Sequence, residues 1–393
     1  MTLPGSTPQG STPKGNTPKG STLWGKIGLE IELMAPRGAS RQVLAEAIAA
    51  RHGGTCHRIF YPQSEPSQIA GTPVLENLTL GFEVRDAQHQ AIAWCVDDLT
   101  LQADCDRTQP SQPGWYRIVG DDIRLMQIVN HLSDANLPLA EVLQPVAETL
   151  GLALHRGPDG MVKLAGEVGP PIAIAAQLPG ERERPCELIT PPLTPAQLPQ
   201  LEGYLQVARE LGFYAPVEGA THLHFDAAPL CSAPAMRNLV NLFWAYGPTL
   251  KWLVGSNPSC QRLGLWPPEL LPLVNNPAWI ALPWDQAREP LKTIPLTKYC
   301  DFNLKNIVYA PRHKHTFEIR ILPVYLELPP LLRAINLMAD LVNRAVNPAM
   351  VKPHDPWPAG KEGVNALRQE LPSSQVLRST WQTHAAKGSP QPY

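Results

Sequence analysis

At 393 residues the chain has room for one large domain or two ordinary ones, and 44% hydrophobic residues supply a sizeable core. Charged residues make up 17%, below the usual share of about 25%, and the formal net charge is −2, which excludes a bulk affinity for nucleic acid or an anionic membrane. Seven cysteines stand without a CxxC pair or zinc-type spacing, no stretch approaches the roughly 18 apolar residues of a membrane span, and no basic region followed by an apolar run opens the chain; the expectation is a cytoplasmic protein of a reducing compartment.

Residues 1–25 repeat a short Gly-Ser-Thr-Pro-Lys type of unit, too polar to bury apolar surface, and read as a disordered tail. From Lys26 order is expected. Ile27–Leu33 reads as a strand, and Ser40 as the start of a helix that reaches His52 and stops at Gly53-Gly54. Residues 56–77 read as irregular. Leu78–Arg85 and Ala91–Val96 read as a hairpin turning at Asp86-Ala87-Gln88-His89 and closed by Asp97-Asp98-Leu99-Thr100. From Trp115 to Leu152 the pattern is helical, with one helix starting at Asp121 or Asp122 and a second over Leu139–Leu150. Short strands at Met161–Leu164 and Pro171–Gln177 lead into Pro185-Cys186-Glu187-Leu188-Ile189-Thr190-Pro191-Pro192. Thr194-Pro195 reads as a helix start, the helix ending at Gly212. Ser232 starts a long helix that stops at Gly255. Residues 256–297 read mostly as loop, their tryptophans as packing, and Lys298–Tyr309 as extended. Leu331–Arg344 is an amphipathic helix, and beyond Pro348 the chain turns polar and Pro-containing. Half-polar strands interleaved with helices predict an α+β fold, an antiparallel sheet with helices on one face.

Three stretches alternate strictly between ionisable and apolar residues: Gly28-Leu29-Glu30-Ile31-Glu32-Leu33, His222-Leu223-His224-Phe225-Asp226 and Thr316-Phe317-Glu318-Ile319-Arg320-Ile321. A strand sends successive side chains to opposite faces, so each puts its acids, imidazoles or guanidinium on one surface. Those groups hold divalent cations and phosphates. Taken singly, Glu30 with Glu32 reads as a solvated strand face, His222 with His224 as structural histidines or a cupin- or hydrolase-type metal site, and Glu318 with Arg320 as a surface pair. Taken together they read as a site. Lys298, Tyr299 and Asn303, ahead of the last stretch, are candidates for a nucleotide or substrate contact, whereas His313 and His315 read as solvent-facing.

Gly28-x-Glu30-x-Glu32, Glu187-Leu-Ile-Thr-Pro-Pro, Thr221-His222-Leu-His224 and Thr316-Phe-Glu318-Ile-Arg320, in that order, resemble the amidoligase family. That family belongs with glutamine synthetase and glutamate–cysteine ligase to the carboxylate–amine ligases. The resemblance runs from about Gly28 to about Arg344. It implies a curved antiparallel sheet with helices on its convex face, glutamine-synthetase-like, binding ATP and Mg²⁺ or Mn²⁺ on the concave face. By resemblance Glu30, Glu32, Glu187, His222 and Glu318 are metal ligands. Glu30 and Arg320 are then the catalytic pair, and His224, Arg320 and Lys298 meet the nucleotide. Asp98 stands where family members often carry an acid. The implied organisation is a tail over 1–25, a catalytic domain over 26–347 with a helical insertion about 115–152, and a partly disordered extension over 348–393. Ala220-Thr221 departs from the Gly that usually precedes the His-x-His motif, and the helical segment is longer than the family's minimal core.

The resemblance implies that the γ-phosphoryl of ATP activates a small-molecule or peptide carboxylate as an acyl phosphate, which an amine donor then attacks. Residues 115–152 or 256–297 are expected to serve as a lid that keeps water from that species. A metal-dependent hydrolase using His222, His224 and the carboxylates, and a non-catalytic nucleotide-binding relative, are the competing readings. Oligomeric state and the substrate pair are not legible in the sequence.

Overall fold

The computed structural model describes residues 25–66, 74–166, 171–311 and 314–378. The repeat tail, apart from Gly25, His313 and the chain from 379 onward lie outside the described residues. Twelve strands are present among them: β1 (Ile27–Met34), β2 (Thr55–Pro66), β3 (Val74–Arg85), β4 (Ala91–Val96), β5 (Tyr116–Gly120), β6 (Ala153–Arg156), β7 (Val162–Ala165), β8 (Ala173–Gln177), β9 (Pro185–Ile189), β10 (Thr221–Asp226), β11 (Phe302–Asn303) and β12 (Thr316–Leu322). They form one open sheet in the order β11-β12-β10-β1-β9-β4-β3-β5-β8-β7-β6, with β2 alongside β3. Every pairing is antiparallel.

The helices are α1 (Arg41–Arg51), α2 (Ile123–Leu132), α3 (Gln144–Leu150), α4 (Leu201–Glu210), α5 (Ala233–Val254), α6 (Leu270–Val274), α7 (Pro277–Ile280), α8 (Trp284–Leu291), α9 (Lys305–Tyr309), α10 (Leu328–Val346) and α11 (Lys361–Glu370). Leu29, Ile31, Leu223, Phe225, Phe317 and Ile319, the apolar halves of the alternating strands, are buried in one core with α1, α4, α5 and α10. A second core joins Leu78, Leu80, Tyr116 and Ile118 to Met126 and Val129 of α2 and Val146 of α3. Leu78, Leu80, Phe82 and Val84 alternate along β3, so both cores lie on the same face of the sheet. Among the described residues no helix is long and apolar enough to cross a membrane.

The caps explain the best-placed helices. Ser232 accepts the Ala235 N–H at 3.2 Å to open α5, and Gly255, at φ 69°, ends it in the left-handed region. Asp122 accepts from the Arg124 and Leu125 amides to open α2.

Several expectations need correction. Residues 56–77 are not irregular: β2 and β3 pair over this stretch, with residues 67–73 outside the described residues. Pro62, Pro66 and the polar side chains of β2 disguise it, and they suit a strand paired on one edge only. The segment from Trp115 to Leu152 opens with β5 rather than a helix, and α3 begins at Gln144 instead of Leu139. Thr194-Pro195 begins a turn, the α-helix waiting until Leu201. Residues 256–297 contain α6, α7 and α8. Lys298–Tyr309 contributes only the two-residue β11 before α9. Beyond Pro348, Val351, Leu367, Leu371 and Leu377 join the main core, with the Tyr246 hydroxyl donating to the Ala366 carbonyl of α11 at 3.4 Å.

Candidate metal centre

Strand register brings the polar halves together. Glu30 of β1 stands opposite His222 of β10, and Glu32 opposite Glu187 of β9. His224 stands opposite Glu318 of β12, which faces Asn303 of β11 on its other side. The β10–β12 ladder slips between Thr221 and Leu223, so Arg320 and Ile321 together face His222. At this irregularity the Arg320 N–H donates to the Asp301 carbonyl at 3.0 Å instead of to β10.

Glu30, His222 and Glu318 each offer a ligand atom within 4.8 Å of the others, and all three are buried. Glu30 Oε2 lies 3.2 Å from His222 Nδ1, and Glu318 Oε1 lies 3.8 Å from the same nitrogen. Glu30 Oε1 lies 3.1 Å from His224 Nε2, while His224 Nδ1 lies 3.2 Å from Thr316 Oγ1. Glu318 is clamped between Arg320 Nη1, donating to Oε1 at 2.6 Å, and Asn303 Nδ2, donating to Oε2 at 2.7 Å.

Glu32 is fully buried beside this trio. Its Oε2 accepts from the Ala220 amide and from Arg262 Nη2, both at 2.9 Å, and its Oε1 lies 3.4 Å from His222 Nε2. The residue before Thr221 therefore serves through its backbone amide, which Ala supplies as well as Gly. Arg262 also reaches Asp98 Oδ2 at 3.5 Å and donates to the Thr100 hydroxyl. Asp98 is thus part of the cluster. The Lys298 ammonium donates to the Ser64 carbonyl at 3.2 Å. Asp226, at the end of β10, is exposed and turns to the Ala228 amide.

Charges around these groups fix their protonation. Burial, then Arg320, pushes the His222 imidazole down to about 4, so it is a neutral ligand at pH 7. Burial alone would raise Glu30, but His224, Lys314 and His222 outweigh it and hold the carboxyl well below its usual range. Burial likewise opposes ionisation of Glu318, yet His224, Arg320 and Lys314 bring it to about 2. Burial and Asp98 push Glu32 up to about 8 despite Arg262. Glu187 is raised well above its ordinary value by burial first, then by Glu30, Asp98 and Glu32. Burial, with Arg320 and Lys314, lowers the Lys298 ammonium.

Glu187 carries a stability consequence. The unfolded chain gives up this proton near the ordinary 4.5 while the folded protein keeps it, so the wild type loses stability as pH rises above that value. Glu187→Gln removes the proton and the loss. In metal-free protein the variant's advantage is expected to grow from about pH 5 to about pH 7.5, reaching a Tm gain of roughly 2 °C or more. Thermal unfolding in chelator at both pH values checks this; a gap that stays constant or shrinks contradicts it.

Three contributors escaped the sequence reading. Lys314 Nζ donates to Glu30 Oε1 at 2.9 Å. It was detectable, because Lys314, Thr316, Glu318 and Arg320 share one parity. Arg262 lies in a loop with no periodicity to betray it. Tyr61 lies on β2, in a stretch read as irregular; Glu187 and Glu30, after burial, raise its hydroxyl. The lid expected from 115–152 is not what the helices of that segment form, since α2 and α3 pack on the apolar face of the sheet. From 256–297, by contrast, Arg262 does reach the centre.

A family model described as a putative amidoligase enzyme matches residues 25–272. The chain belongs to that family. A comparison with curated proteins gives no match. The amidoligase match contains Glu30, Glu32, Asp98, Glu187, His222, His224 and Arg262. It stops short of Lys314, Glu318 and Arg320, which β12 brings to the same centre through its pairing with β10.

The residues fit a divalent cation with a phosphate beside it. The hard carboxylate oxygens of Glu30 and Glu318 converge on a neutral imidazole. Among the described residues Glu32 Oε1 and Arg320 Nε are buried without a hydrogen-bond partner, which leaves both atoms free for a ligand.

Proposed function

We propose that this protein is an ATP-dependent carboxylate–amine ligase of glutamine-synthetase-like fold, forming an amide through an acyl phosphate. The observation that carries the reading is the convergence of Glu30, His222 and Glu318 from three strands beside Arg320. Glu30, His222 and Glu318 would hold Mg²⁺ or Mn²⁺, with Glu32 and Glu187 next to them for a further ion. When bound, such an ion neutralises phosphate charge and polarises the transferred phosphoryl group.

The surrounding cations favour phosphoryl chemistry over water activation. Arg320, Arg262 and Lys314 are all paired with carboxylates of the cluster, and Lys298 adds a fourth positive charge. Arg320 presents a planar fork to the phosphoryl oxygens. His224 and Lys298 would meet the nucleotide. In the reaction the substrate carboxylate oxygen takes the γ-phosphoryl from ATP, releasing ADP. The amine then attacks the acyl carbon, phosphate leaves, and the nitrogen loses a proton.

Hydroxylamine can stand in for the amine. Full-length protein with ATP, Mn²⁺ and a panel of amino acids and short peptides is expected to release ADP and form a hydroxamate only when acid and hydroxylamine are both present. Metal-dependent turnover without ATP, or ADP release indifferent to the acid, contradicts the proposal.

A further inference from the structure

The polar face of the sheet continues past the acid–histidine cluster. Tyr61 of β2 stands opposite Thr79 of β3, and Thr79 opposite Arg117 of β5, so all three share that face. Arg117 Nη1 donates to Glu65 Oε1 at 3.0 Å and to Asn77 Oδ1 at 2.9 Å. Glu65, Leu99, Gln102, Arg107, Arg117 and Arg182 line a cavity of about 200 Å³.

Two guanidiniums in this cavity have donors to spare. Arg182 is committed, its Nη2 donating to Asp97 Oδ1 at 2.7 Å and to the Asp98 carbonyl at 2.8 Å. Among the described residues Arg117 bonds only through Nη1, and Arg107 only through Nη2, to Gln102 Oε1 at 2.8 Å. Glu65 and Asn77 hold the Arg117 fork in place without saturating it. The cavity also shares a wall with the metal centre: Asp98 and Thr100 turn to Arg262, while Leu99 and Gln102 of the same loop line the cavity. Lys298 is tied to Ser64, the neighbour of Glu65.

We propose that this cavity is a second subsite for the acid substrate, where Arg117 and Arg107 bind a carboxylate remote from the reacting one. The proposal rests on the ligase reading for calling the bound molecule a substrate. β2 covers one whole edge of β3, so β4 and β5 share the other edge, and β5 lies in line with β4, one strand step of about 4.8 Å to the side of β9. The acid is a dicarboxylate, and a short peptide with a side-chain and a terminal carboxylate serves as its probe.

The test compares the tripeptide glutamyl-alanyl-alanine with its C-terminal amide, by calorimetry on the full chain in Mn²⁺. The wild type is expected to bind the acid about tenfold or more tighter than the amide, the value of a charge-assisted hydrogen bond pair. Arg117→Gln is expected to abolish that preference while leaving affinity for the amide unchanged, and Arg117→Lys to restore part of it. Arg107→Gln, on an exposed loop where misfolding is not a concern, is expected to reduce the preference severalfold. Equal binding of acid and amide by the wild type, binding of neither, or equal weakening of both by Arg117→Gln overturns the proposal. Electron paramagnetic resonance of Mn²⁺ in the same samples separates the two readings: peptide discrimination without Mn²⁺ binding sinks the ligase reading and leaves the carboxylate subsite standing.

Discussion

Glu30→Gln is expected to lower Mn²⁺ affinity on the order of a hundredfold or more while leaving the fold intact. Both Glu30 oxygens face the cluster: Oε2 lies 3.2 Å from His222 and Oε1 lies 3.1 Å from His224 and 2.9 Å from Lys314. A carboxamide keeps the shape but removes the charge that offsets a cation's desolvation, and it turns one ligand atom into a donor. Some stability goes with the charge, because Lys314 and His224 lose the carboxylate that they hold below its usual range. Lys314→Met is expected to act in the opposite direction. Its half-exposed ammonium competes for the same Glu30 oxygen, so its loss strengthens Mn²⁺ binding severalfold. Titrations followed by electron paramagnetic resonance check both. Unchanged affinity in Glu30→Gln would remove this residue from the ligand set.

Arg320→Gln is expected to cut kcat in the hydroxamate assay by about 10²–10³, with a much smaller change in the KM for ATP. The side chain is buried, donates to Glu318 Oε1 through Nη1 at 2.6 Å, and among the described residues keeps Nε without a partner. A donor left bare in the interior is costly unless something accepts from it during turnover. Charge growing on the transferred phosphoryl oxygens supplies that acceptor only as the reaction proceeds, which is why the loss belongs in kcat. Arg320→Lys keeps the charge but lacks the planar fork, so it is expected to recover little of the activity. A change in kcat below about fivefold contradicts the assignment.

The polar strands were readable because a period of two survives ignorance of register. Glu30, Glu32, His222, His224, Glu318 and Arg320 had to share faces within their own strands wherever those strands paired. What the letters could not say is which strands were neighbours. Glu30 meets His222, and Glu187 meets Glu32, only through pairings between segments more than a hundred residues apart. Capped helices were legible for a local reason, as Ser232 and Gly255 show at the two ends of α5. In 256–297 α7 has such a signal, Asn276 accepting the Ala278 N–H at 2.9 Å ahead of Pro277, but α6 and α8 have no side-chain cap. Tertiary anchors hold them, such as Trp279 Nε1 donating to the Ala287 carbonyl at 2.8 Å. Arg262 was invisible for the same reason, since only the folded chain sets its guanidinium against Glu32. β2 was missed because propensity penalises Pro62 and Pro66, whereas an edge strand tolerates both.

The most direct measurement is a crystal structure of the full chain soaked in Mn²⁺, read from the metal's anomalous scattering. The account predicts a peak about 2.0–2.3 Å from oxygens of Glu30 and Glu318 and from a ring nitrogen of His222. A peak away from these three side chains, or none at saturating Mn²⁺, would contradict it.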